Sequence, residues 1–165
     1  MNRIYLILLL ISGLTVCTYA LDEPIGWWPL DGSAQDMSGN GNDLQVSGGA
    51  GFVEGYFGEA VSFDGVDGNG DSVHSGGDID ILDPGSDSFT VTVWLKLGQG
   101  TSSQNYKFVV SKGNPTSSAV GWSIWSSNNN GALVARFNSS GTNAQRAAQQ
   151  QLAVPLDEWL HVVMV

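Results

Sequence analysis

The chain has 165 residues, with 16 Asp and Glu against 6 Lys and Arg, for a formal net charge of −10 at neutral pH. Acidity of this degree excludes nucleic acid and anionic membranes as partners, because their phosphates need Lys and Arg, and it disfavours acidic polysaccharides for the same reason. Neutral glycans and divalent cations stay open, and so does plain solubility outside the cell.

The first element is an address. Arg3 supplies a short positive region, residues 4–14 an apolar one broken only by Ser12 and Gly13, and Thr18-Tyr19-Ala20 the small residues of a cleavage site. A signal peptide over 1–20 is expected, with the mature chain over 21–165 secreted. The apolar run is too short for a transmembrane anchor across a hydrocarbon core of about 30 Å. One alternative is a lipoprotein anchored through Cys17. Leu14-Thr15-Val16-Cys17 resembles a bacterial lipoprotein box, although Val16 stands where Gly, Ala or Ser belongs. Cys17 is the only cysteine, so the mature chain forms no internal disulfide. Its length suffices for one domain with a sizeable core.

Beyond residue 20 the chain reads in period two. Phe89, Val91, Val93, Leu95 and Leu97 form one row, and Thr90, Thr92, Trp94 and Lys96 the other. The first row predicts core. Similar patterns predict strands near 25–30, 60–64, 72–74, 107–111, 121–126, 132–137 and 159–165, with Val61, Phe63, Val162 and Met164 also in the core. Residues 143–152, the only helix-like stretch, predict a loop or a single turn. Short strands separated by Gly, Asn, Asp and Pro predict an all-β sandwich or barrel.

Five landmarks in fixed order sharpen this: GWWPLDG at 26–32, DMSGNGNDL at 36–44, YFGEAVSFDG at 56–65, DSFTVTVWLKL at 87–97 and EWLHVVMV at 158–165. Together they resemble the laminin-G-like (LamG) jelly roll of the concanavalin A-like lectin/glucanase superfamily. The resemblance implies a two-sheet antiparallel jelly-roll sandwich. It also implies further strands after EWLHVVMV, so that 21–165 would be the N-terminal two-thirds of a domain, with further domains expected in the full-length protein.

Two constellations could carry chemistry. Asp36, Ser38, Asn40 and Asn42 place oxygen-bearing side chains at alternate positions among glycines, which suits a hard cation. In LamG-like domains this turn often holds a structural ion, so the resemblance implies Ca2+; the alternative is an Asx/Gly turn without metal. In that setting Asp36→Ala is expected to leave the metal-free melting point little changed. A second acidic run over 64–71 imitates part of an EF-hand loop but lacks its glycine, its final Glu and its helices.

Six tryptophans are many for this length. Trp28 and Trp159 are expected in packing. Trp27, Trp94 and Trp125 fall opposite the stronger apolar rows, making them either a sugar-stacking platform or ordinary packing residues. No spaced carboxylate pair, nucleophile elbow or nucleotide loop occurs, and His74 and His161 are isolated. The expected function is therefore a secreted, non-catalytic module that binds a glycan or an extracellular protein. The alternatives are an adhesive spacer without a ligand and an accessory module of a larger glycan-active enzyme.

Overall fold

The computed structural model describes residues 23–64, 70–83, 85, 87–98, 106–113, 121–127, 132–138 and 150–165. The signal segment, residues 65–69 of the second acidic run and most of 143–152 lie outside them. The strands are β1 (Gln45–Ser47), β2 (Gly51–Glu54), β3 (Glu59–Ser62), β4 (Ser72–His74), β5 (Val91–Lys96), β6 (Tyr106–Lys112), β7 (Gly121–Ser127), β8 (Ala132–Asn138), β9 (Gln150–Ala153) and β10 (Trp159–Met164), with a 3-10 turn at Asp80–Leu82. The architecture is all-β, and among the described residues every pairing is antiparallel.

β6-β7-β8-β9 form a four-stranded sheet, and β5 pairs with β10, β1 with β4 and β2 with β3. The core lies between the four-stranded sheet and the β5–β10 pair. Leu95 of β5 meets Ile124 of β7 and Leu133 of β8. Val91, Val93, Leu97, Leu160, Val162 and Met164 pack around them from one layer, and Val109, Val110 and Val154 from the other. The alternation expected over 89–97 holds: Leu95 is buried while Thr92, Trp94 and Lys96 are exposed.

Three expectations are corrected. Residues 25–30 form no strand. Their polar backbone atoms bond to the 36–43 loop instead of a neighbouring strand, and the segment ends on Leu30 in the left-handed region (φ 59°). Phe63 is exposed, not core, because β3 stops at Ser62 and the alternation stops with it. The end of 143–152 is strand β9, where Leu152 pairs with Leu133 and Ala153 with Ala132.

The β2–β3 hairpin closes through Gly55 N–H donating to the Gly58 carbonyl at 2.9 Å. Gly58 has φ +60°, and a Cβ there would stand 2.6 Å from Asp31 Oδ1. That same oxygen accepts from Glu59 N–H at 2.8 Å, so the hairpin is fixed to the N-terminal segment. The 3-10 turn is fixed to the four-stranded sheet in two ways. Trp122 Nε1 donates to the Leu82 carbonyl at 3.0 Å, and the buried Lys112 ammonium pairs with Asp78 and Asp83.

Candidate functional site

The 36–43 loop is built around one carboxylate. Asp36 is only 9% exposed. Its Oδ1 accepts from Trp27 N–H at 3.0 Å and Ser38 N–H at 2.9 Å, and its Oδ2 from Asn42 N–H at 3.0 Å. Its own N–H donates to Asp43 Oδ1 at 2.8 Å. Burial, the largest single influence, pushes its acidity toward the neutral form. The bonds from Trp27, Ser38 and Asn42 together outweigh it and hold the carboxyl well below its ordinary range.

The other three residues expected around a cation also converge. Ser38 Oγ at 3.3 Å, Asn40 Nδ2 at 3.0 Å and Asn42 Nδ2 at 3.4 Å all point at the carbonyl oxygen of Ile25. A carbonyl oxygen has two lone pairs, so three donors oversubscribe it. The structure thus brings Ser38, Asn40 and Asn42 together on one oxygen, while Asp36 holds the loop from behind. Trp28 closes the arrangement, its Nε1 donating to the Asn42 carbonyl at 2.8 Å and its ring covering Gly26.

The three candidate platform tryptophans lie apart. Trp27 sits beside this loop and is 54% exposed. Trp94 and Trp125 each alternate with core residues, Leu95 and Ile124, so they point to opposite outer sides of the sandwich. Trp94 lies between two parallel rings: Tyr56 at a centroid distance of 4.2 Å and 11°, and His161 at 5.0 Å and 22°. Two rings stacked on one indole face would touch each other, and no Tyr56–His161 ring contact occurs, so they cover opposite faces. Phe57 stands at 84° to Tyr56 and 89° to Trp94, and it is 72% exposed. Trp125 lies directly opposite Phe108 of β6 on the face of the four-stranded sheet turned away from the core. It is half-buried, while Phe108 is 45% exposed.

The laminin G-type family of the concanavalin A-like lectin/glucanases superfamily matches residues 67–165. The chain belongs to this family. No curated protein and no solved structure matches it. The layered antiparallel sheets and the core between them agree with a LamG-like sandwich. Among the described residues no helix is long and apolar enough to cross a membrane.

One pair in this LamG-like chain imitates a nucleophile and its base, and the sequence gives no warning of it. Ser47 Oγ lies 2.8 Å from His74 Nε2 across the β1–β4 pairing. His74 Nδ1, however, accepts from Gly76 N–H at 3.1 Å. In the neutral ring the proton therefore sits on Nε2, which donates to Ser47 and cannot take its proton. The pair ties strand to turn. Sequence reading also passes over Phe108, Ser123 and Arg136, which share the Trp125 face. Their common placement depends on the β6–β7–β8 register, which only the fold supplies.

Proposed function

We propose that this chain is a secreted, non-catalytic LamG-like module that binds carbohydrate through the Phe108–Trp125 face. The observation that carries the reading is that these two aromatic rings are direct cross-strand neighbours outside the core, with Phe108 open to solvent. Such a pair offers an apolar surface for the CH side of a pyranose. The acidic composition leaves neutral sugar rings free to approach. Trp94 is less suited, because the Tyr56 and His161 rings already stack on its indole.

Calcium belongs to the same proposal. The Ile25 carbonyl, Ser38 Oγ and the carboxamide oxygens of Asn40 and Asn42 make a neutral oxygen set that fits a hard cation. Relief of the oversubscribed Ile25 carbonyl supports this reading, since an amide turned oxygen-first toward it needs a cation between them. Asp36 has one oxygen carrying a single bond and could lend it.

The test is a glycan array on the full chain, with calcium and with chelator, for the parent and for Trp125→Ala and Phe108→Ala. Binding by the parent that both variants lose is the expected result. A silent array would leave the domain an adhesive spacer.

A further inference from the structure

We propose that the aromatic cluster at the tip of the β2–β3 hairpin docks a basic peptide segment, an arginine- or lysine-rich stretch of a protein partner. It lies on the outer side of the β5–β10 layer, away from the Phe108–Trp125 face, and stands apart from the carbohydrate reading. Register sets Trp94 beside His161 and Lys96 beside Trp159 on that outer side. The hairpin turn lays Tyr56 on Trp94 and within 6.5 Å of the Trp159 ring. Phe57 stands perpendicular to both Tyr56 and Trp94. Tyr56, Phe57 and Trp94 are all exposed, Phe57 the most. Monomeric proteins rarely leave several large rings contiguous and open to solvent unless something docks there, and Tyr, Trp and Phe are enriched at protein interfaces.

Charge identifies the occupant. Glu54 and Glu59 are exposed at the base of the turn and directly opposite each other across the β2–β3 pairing. Like charges so placed destabilise a hairpin. The Asp31 carboxylate stands at Gly58 in the same turn. Among the described residues the ion pairs are those of Lys112 with Asp78 and Asp83, so none of these three carboxylates has a counter-charge. A ligand cation at the turn relieves their repulsion and meets a ring at the same time. The cluster already holds one cation in that way: the Lys96 ammonium lies over the Trp159 ring, 5.7 Å from its centroid. A second copy of this chain fits poorly, because it would bring the same carboxylates against each other. The net charge of −10 steers a basic partner inward and repels an acidic one.

The probes are a short peptide alternating arginine and serine and its counterpart with uncharged citrulline for arginine, each titrated into the full chain by fluorescence anisotropy. Binding of the arginine peptide and not of the citrulline peptide is expected. Phe57→Ala leaves the net charge unchanged and should weaken binding about fivefold, the loss of one exposed cation–ring contact. Phe57→Tyr, which keeps a ring, should bind as the parent does. Glu54→Gln should weaken binding, whereas Asp80→Asn, an equal change of charge in the turn fixed to the four-stranded sheet, should not. Absence of binding, or equal binding of the citrulline peptide, overturns the proposal. Equal affinity of parent and Phe57→Ala also overturns it, by reducing the effect to general attraction to an acidic chain. A dimer of the parent that Phe57→Ala abolishes in sedimentation would give the patch to a second copy instead.

Discussion

Trp94 and His161 face each other directly across the β5–β10 pairing, their rings stacked at 5.0 Å and 22°. With Tyr56 on the other face of the indole, the stack joins the β2–β3 hairpin turn to the outer side of the β5–β10 layer. Aromatic pairs of this kind contribute about 0.5–1.5 kcal/mol beyond their buried area. Trp94→Ala should therefore lower the melting temperature and loosen the hairpin. Amide exchange at β2 and β3 would show it, and unchanged protection there would mean the stack is incidental.

Asp36→Ala should destabilise the chain even with calcium removed. Three backbone N–H groups lose their acceptor, each worth about 1–3 kcal/mol when left unsatisfied. This corrects the expectation, drawn from the sequence, of a solvated turn. The acid dependence has a definite sign. The folded carboxyl is depressed below its ordinary value of 3.8, so its contribution is complete above that pH and is lost as pH falls below it. The melting difference between parent and Asp36→Asn should be largest at neutral pH and already smaller at pH 3, because the contribution declines below pH 3.8 and is fully lost only below the depressed folded value.

Calcium should raise the melting temperature of the parent and not that of an Asn40→Ala, Asn42→Ala double variant. At free calcium one hundred times the dissociation constant the gain is about 2.7 kcal/mol. Identical parent melts in calcium and in chelator would leave 36–43 a self-sufficient loop.

Leu95→Ala should cost about 2–5 kcal/mol, since Leu95 is buried against Ile124 and Leu133 and its loss leaves a cavity. Phe63→Ala should cost about 0.5 kcal/mol or less, because Phe63 lies on the surface. Denaturant midpoints of the two variants give the comparison, and equal losses would contradict this packing.

Lys112→Met should change stability little at neutral pH, because Met keeps the buried stem and the Asp78 and Asp83 carboxylates it leaves behind are exposed and stay solvated. It should also remove an alkaline transition. Burial alone lowers the Lys112 value, but the bonds to Asp78 and Asp83 raise it above the ordinary 10.5. Its contribution is present below that pH and lost as pH rises through the raised value. Retention of the alkaline step in Lys112→Met would assign it elsewhere.

The legible parts of this fold are those governed by side-chain alternation. β5 and β10 declare their buried faces because each apolar residue is followed by a more polar or aromatic one that points outward. Residues 25–30 mislead because their backbone partners are the side chains of Asp36, Ser38, Asn40 and Asn42, which no period reveals. β9 is hidden because Gln150 and Gln151 give no apolar signal and its pairing to β8 is made by backbone. In the site, the convergence of Ser38, Asn40 and Asn42 follows from their spacing. The Phe108–Trp125 pairing depends on the β6–β7 register and an irregularity near Phe108, so it has no linear signature.

β5 and β10 lie side by side although all of β6 to β9 runs between them in the chain. Their pairing cannot form until that long intervening stretch has been brought back on itself, and closing so large a loop loses entropy before any contact rewards it. The 36–43 loop and the β6–β7–β8 hairpins close over short distances and can form early. The sandwich is therefore a high-contact-order fold, expected in the millisecond-to-second range, with the aromatic stack on Trp94 among its last contacts.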